Sequence, residues 1–178
     1  MATFTRQEIE GGLQKLGEFA QRKGLKIQLT LVGGAVMVLR FGARLSTRDV
    51  DAVIIYPREA KIVRELARQV AEENDWPEDW LNDGAKGYLV GISQGDILFQ
   101  APGIEVRAPS LEQLLAMKLS AWRDDLDISD ARRLLQEVSQ GRKRDEVWES
   151  VEPYLVKGDE LTAHYAFLDL WETMYGTD

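Results

Sequence analysis

The stretch "STRDVDAVII", residues 46–55, constrains this chain most, because it sets two carboxylates, Asp49 and Asp51, at the head of an apolar run. The run reads as a strand that Pro57 ends. Strand side chains alternate between faces, so Asp49, Asp51, Val53 and Ile55 share one face and Val50, Ala52 and Ile54 the other. Two acids on one face lie about 6.5 Å apart at their Cα atoms, from a rise of about 3.3 Å per residue. Like charges this close repel, and they dilute the pattern that buries the strand. They therefore mark either the solvated end of a strand or a place that holds a cation. Hard oxygen ligands of this kind suit Mg²⁺ or Mn²⁺ and do not suit zinc.

The residues upstream add a second element. "KIQLTLV" (26–32) reads as a strand, Gly33-Gly34 as a turn, and "AVMVLRFG" as a short apolar helix ending near Gly42. A glycine pair between strand and helix is either a purely structural turn or a place where backbone N–H groups approach a phosphate closely. Arg44, Ser46 and Thr47 then precede the acids, where they contact phosphate or cap the turn. Glycines and acids in this order and spacing form a place for phosphate beside a place for metal.

Around this stretch the chain alternates helices and strands. Thr5-Arg6-Gln7-Glu8 is a capping-box pattern, followed by Ile9, Leu13, Leu16 and Ala20 at helical spacing, with Gly24 as the stop. Residues 58–74 form an amphipathic helix, 79–86 a short helix, and "ILFQ" and "IEVRA" two short strands joined by "APG". From Ser110 the pattern is helical throughout, with breaks near Arg123, Gly141 and Gly158. The fold class is thus α+β: a mixed sheet flanked by helices over residues 1–109, then a helical part over 110–178.

Composition narrows the function. The chain of 178 residues has no cysteine, which rules out disulfides, thiolate metal sites and a cysteine nucleophile. Its net charge of −8 argues against broad nucleic-acid binding. The local basic clusters are "GRKR" (141–144), read as solvated surface, and Arg40, Arg44 and Arg48. The start "MATFTRQEIE" lacks a basic and then apolar leader, and no apolar run reaches membrane-spanning length, so a cytoplasmic protein without membrane contact is expected.

"GGAVMVLRFGARLSTRDVDAV" resembles the nucleotidyltransferase superfamily with the DNA-polymerase-β-type fold, in which a Gly-Gly or Gly-Ser turn and short helix precede Asp-x-Asp on the next strand. It is most similar to a small bacterial branch with "R-x-S-T-x-D-x-D-A" after the helix, which includes nucleotidyltransferase toxins of abortive-infection and toxin–antitoxin systems. "WLNDGAKGYL" and "PSLEQLLAMKLSAWRDDLDISDARRLL" look like later blocks of that branch.

The resemblance implies transfer of a nucleoside monophosphate from an NTP to an acceptor (protein, RNA or small molecule), with an antitoxin or another protein as partner. A catalytically degenerate module that binds a nucleotide or protein is the alternative. The resemblance implies Mg²⁺ or Mn²⁺ on Asp49 and Asp51, with a third carboxylate from a neighbouring strand. Glu105 is offered by strand alternation and Asp96 by the order of blocks in related toxins. Gly33 and Gly34 would cradle phosphates.

Lys118 falls in the middle of an apolar helical arc bracketed by Leu111, Leu114, Leu115 and Trp122. Either its stem snorkels, or its ammonium meets a triphosphate or the acidic cluster, as the resemblance implies. Asp127 and Asp130 share one helix face, and either pair with Arg123, Arg132 or Arg133 or, as in the family, orient the lysine. Asn82, Asp83 and Lys86 form a candidate substrate-side loop. His164 and the aromatics Trp148, Tyr154, Tyr165, Phe167 and Trp171 read as packing among the last helices.

Overall fold

The expected strands and helices form an α+β fold in a computed structural model that describes residues 2–122 and 124–177, without the side chains of residues 87 and 88. Arg123, one expected partner for Asp127 and Asp130, lies outside the described residues. The chain divides into two compact units: Met1–Gly87 with Gln94–Pro109, and Tyr88–Ser93 with Ser110–Asp178.

The first unit contains β1 (Phe4–Thr5), α1 (Arg6–Arg22), β2 (Ile27–Val32), α2 (Gly34–Leu39), β3 (Ser46–Thr47), β4 (Val50–Tyr56) and α3 (Ala60–Asn74). It closes with β5 (Leu81–Asn82), β6 (Ile97–Ala101) and β7 (Ile104–Arg107). A mixed five-stranded sheet runs in the order β5-β4-β2-β7-β6, and β1 pairs separately with β3. Strand β2 is antiparallel to β4 and parallel to β7.

Alternation assigns the two faces of this sheet. Ile27 and Leu29 pair with Ile104 and Val106, and Leu31 pairs with Ala52, all fully buried. Helix α1 packs on this side so closely that a Cβ on Gly17 would come within 2.6 Å of Ile104 Cγ2. The opposite face carries the polar side chains beside buried Val32 and Val53: Gln28 pairs with Glu105, Thr30 with Arg107, and Val32 with Asp51. The core side holds the sheet, and the chemistry-bearing residues stand on the other side.

Local signals account for the helix ends. The capping box of α1 forms as expected, with Thr5 N–H donating to Glu8 Oε2 at 2.8 Å and Glu8 N–H donating to Thr5 Oγ1 at 3.3 Å. The Arg6 guanidinium donates to the carbonyls of Val38 (3.0 Å) and Leu39, satisfying the C-terminal end of α2. In α3 the apolar face Val63, Leu66, Ala67, Val70 and Ala71 is buried.

The second unit contains α4 (Leu111–Ala121), α5 (Asp125–Val138), α6 (Arg144–Val151) and α7 (Glu160–Tyr175), packed around Leu115, Leu119, Leu134, Leu135, Val147, Val151 and Phe167. Buried Gln113 of α4 ties residues 88–93 to this unit, accepting from Ser93 N–H (2.9 Å) and donating to the Gly91 carbonyl (3.0 Å). In the "GRKR" run, Arg142 reaches Glu112 Oε1 (3.3 Å) and the Glu146 carbonyl (2.9 Å). Among the described residues no helix is long and apolar enough to cross a membrane.

One expected element differs. Residues 79–86 do not form a helix; Leu81–Asn82 joins the sheet beside β4, and a 3₁₀ turn follows at Gly84–Tyr88. Buried Trp80 causes this, donating its indole N–H to the Ala67 carbonyl (2.9 Å) and accepting from Val50 N–H (2.8 Å) on its own carbonyl. The backbone after Trp80 is thereby laid along β4 and is unavailable for helical bonds.

Candidate functional site

The site is built where β4 begins and β2 ends. Trp80 sets the register that puts Asn82 directly beside Asp51, while Asp51 pairs across β2 with Val32, the residue before the glycine turn. The sheet thus carries Asn82, Asp51 and Val32 in one row, and Gly33 follows immediately. Asp49, one residue before β4, shares Asp51's parity, and both acids are half-buried.

The two glycines are required by what stands over them. Gly33 has φ +65° and ψ −144°, a conformation that a side chain opposes, and a Cβ there would come within 2.9 Å of Asp51 Oδ2. A Cβ on Gly34 would collide with Thr47 Oγ1 and lie 3.2 Å from Arg44 Nη1. Strands β3 and β4, with Arg44 from the loop before β3, therefore bring a hydroxyl, a guanidinium and a carboxylate onto a turn that has no side chains of its own. Gly33, Gly34, Arg44, Thr47, Asp51 and Asn82 form one cluster. Ser46 sits next to it in β3, paired with Thr5.

The three residues of the expected substrate-side loop take separate places. Asn82 Oδ1 accepts from Gly84 N–H at 2.7 Å, an Asx turn that holds its side chain. Asp83 is drawn to α3, where its carboxylate takes bonds from Arg64 Nε (3.0 Å) and Nη2. That hydrogen bond, and then the charge of Asp83, push the Arg64 guanidinium further above its ordinary value. Lys86 is exposed.

Neither candidate for the third carboxylate lies beside Asp51 in the sheet. Glu105 does share the polar face with Asp51, as alternation expects. Its level, however, is that of Gln28, four residues from Val32 on β2, or about 13 Å along the strand. It bonds instead to Arg107 Nε at 3.0 Å. Asp96 precedes β6, three strands from β4 and thus about 14 Å across the sheet. It is 67% exposed and ion-paired with Arg40. Among the described residues no three His, Asp or Glu side chains are grouped to hold a metal.

Lys118 and the second acid pair belong to the second unit. Lys118 Nζ reaches Asp127 Oδ1 at 3.0 Å and Asp130 Oδ2 at 2.8 Å, with side-chain exposures of 14%, 9% and 3% respectively. Arg133 bonds Glu137 at 3.0 Å, and Arg132 is exposed. The lysine is thus neither snorkelling nor loose; two carboxylates fix its ammonium.

Of the residues singled out in the sequence, the structure brings together Gly33, Gly34, Arg44, Thr47, Asp51 and Asn82. Thr30 and Arg107, which the sequence did not single out, share a sheet face with Asp51 one level below it. The alternation of β2 and β7 carried the signal for the face, but not for the level. Arg107 donates to the Gly95 carbonyl (3.4 Å) as well as to Glu105, so its guanidinium is fixed within the first unit.

Residues 11–97 match the family model described as "Nucleotidyl transferase of unknown function" (DUF2204). The matched segment runs from α1 to the first residue of β6 and includes the glycine turn, both strand-end acids and Asn82. It belongs to the nucleotidyltransferase superfamily. The match does not extend to the toxin branch within it. No curated protein matches the sequence.

Proposed function

We propose that this nucleotidyltransferase domain is metal-dependent and moves a nucleoside monophosphate from an NTP to the hydroxyl of an acceptor. One observation carries the reading: the Asp51 carboxylate stands over side-chain-free Gly33 and beside Asn82 at the mouth of a strand. The donors fit a hard divalent ion. Mg²⁺ keeps several waters and takes one or two carboxylates together with substrate phosphates, so Asp49 and Asp51 suffice to hold one Mg²⁺ or Mn²⁺. When bound, such an ion neutralises phosphate charge and orients the reacting phosphoryl group.

The chain's own residues supply the rest. The backbone at Gly33 and Gly34 admits polyphosphate oxygens closely, Arg44 neutralises them, and the Thr47 hydroxyl and Asn82 amide orient them. The acceptor oxygen bonds to the α-phosphorus as the bond to the bridging oxygen breaks. Pyrophosphate leaves, and the hydroxyl proton passes to solvent.

A second reading, a module that binds a nucleotide without transferring it, is favoured by a different observation. Asp96 is engaged by Arg40 and Glu105 by Arg107, both at a distance from Asp51. Calorimetry with each of the four NTPs and Mg²⁺, on wild type and Asp51→Asn, followed by a pyrophosphate-release assay with cell lysate as acceptor source, decides between them. Binding that needs both Mg²⁺ and Asp51, with pyrophosphate released, supports transfer. Binding without release selects the module, and no binding to any NTP overturns both.

A further inference from the structure

Helix α7 is apolar on two sides. Ala163, Ala166, Phe167 and Leu170 are buried against its own unit. At 100° per residue, Leu161, His164, Tyr165, Leu168 and Tyr175 fall, together with the acid Glu172, in a second arc about 100° wide on another side of the helix. This second side is open: Leu161 is 67% exposed and Tyr165 66%. Tyr165 is thus the exception among the C-terminal aromatics expected to pack together. Within this arc His164 stacks on Trp148 and the Tyr175 hydroxyl shares a 2.7 Å hydrogen bond with Ser139 Oγ, so Leu161 and Tyr165 are the part that the fold of this unit does not use.

The stripe continues into a cavity of about 470 Å³ lined by Trp148, His164, Phe167 and Leu168. The Trp148 and His164 rings stack at 4.4 Å and 16°, giving it a flat aromatic wall. Its charged lining is Asp145, Glu149 and Arg144, the last ion-paired to Asp145 at 3.5 Å.

Charge selects the occupant. Residues 144–178 contain nine Asp and Glu against two Lys and Arg, so this segment holds most of the chain's net charge of −8. A second copy would bring the same acids against each other, and a nucleic acid or anionic membrane would be repelled as well. We propose that the open face of α7 and the Trp148–His164 cavity together dock a basic amphipathic segment of another protein. Its apolar anchors at i, i+3, i+4 and i+7 would meet Leu161, Tyr165 and the cavity, and its Lys or Arg residues would meet the acids of α6 and α7. None of these residues belongs to the strand-end cluster, so this inference stands or falls apart from the proposed transfer reaction.

The test uses the full chain and an 18-residue helical peptide with leucine at i, i+3, i+4 and i+7 and lysine elsewhere. A second peptide carries glutamate in place of each lysine. Binding is read by calorimetry in low and in moderate salt, on wild type and on Leu161→Ser/Tyr165→Ser, whose exposed positions leave the fold intact. The lysine peptide is expected to bind at least about 10-fold tighter than the glutamate peptide, and to lose about 10-fold in the double variant and in moderate salt. Absence of binding, equal binding of both peptides, or undiminished binding to the double variant overturns the proposal. So does a wild-type dimer in sedimentation that the double variant abolishes, because a second copy then covers the face.

Discussion

Asp49 with Asp51 and Asp127 with Asp130 are two pairs of aspartates that opposite physics keeps in place. The first pair stands half-buried at a strand mouth, over a turn without side chains. The second lies on one face of α5 at 9% and 3% exposure with a lysine ammonium between the carboxylates. A buried carboxylate must find its countercharge inside the protein, whereas a half-buried one at a strand mouth can also be reached by an ion that arrives from solvent. Sequence spacing alone, two residues in one case and three in the other, does not separate these roles. Burial does.

The sharpest way to break this comparison is to remove charge from each place in turn. Lys118→Met withdraws a cation from two buried carboxylates and is expected to cost about 3–5 kcal/mol. That corresponds to a fall in Tm of roughly 6–20 °C for a chain of this size. Asp51→Asn removes one half-buried charge at the strand mouth and is expected to cost much less, about 1 kcal/mol or below. Adding Asp127→Asn and Asp130→Asn to Lys118→Met should recover part of the loss, measured as a coupling energy. Equal melting of the Lys118 and Asp51 variants would mean the two acid pairs are not different in kind.

The next effect tests whether the first pair depends on the glycine turn. Gly33→Ala meets both a positive φ and Asp51 Oδ2 at 2.9 Å, whereas Gly42→Ala meets a positive φ of 56° with nothing within 4 Å. Strain alone costs about 1–2 kcal/mol at each position. Gly33→Ala should exceed Gly42→Ala in urea denaturation, and it alone should abolish Mg²⁺-dependent nucleotide binding. If both variants bind nucleotide as wild type does, the closeness of turn and carboxylate has no bearing on ligand.

How far the sequence revealed this site follows from which forces are local. The capping box at Thr5 and Glu8, the amphipathic run of α3 and the alternation of β2 and β4 are written within a few residues, and they were legible. Strands β3 and β5, two residues each, exist only through their partners, so the sheet position of Asn82 could not be read from "WLNDG". The choice between Asp96 and Glu105 was equally out of reach. Strand order and register decide their distance from Asp51, and neither leaves a mark in either residue's neighbourhood.

That distance yields a smaller effect. Asp96 is a surface partner of Arg40, so Asp96→Asn should change stability by less than about 1 kcal/mol and leave Mg²⁺-dependent nucleotide binding as it was. A loss of binding as large as that of Asp51→Asn would return Asp96 to the metal-binding set and reopen the comparison from its exposed side.

The smallest effect comes from Glu8, a carboxylate that is structural although solvent-exposed. The Thr5 backbone N–H, and next the Thr5 hydroxyl, hold the Glu8 carboxyl below its ordinary value of 4.5. A lowered folded pKa means that the charged cap contributes fully above the unfolded value and loses that contribution as pH falls through the folded one. Glu8→Ala should therefore lower the urea midpoint near neutral pH by an amount equivalent to about 0.5–1 kcal/mol, with the gap from wild type closing in acid. A gap that stays constant into acid would mean that the cap acts through the Thr5 side chain without the Glu8 charge.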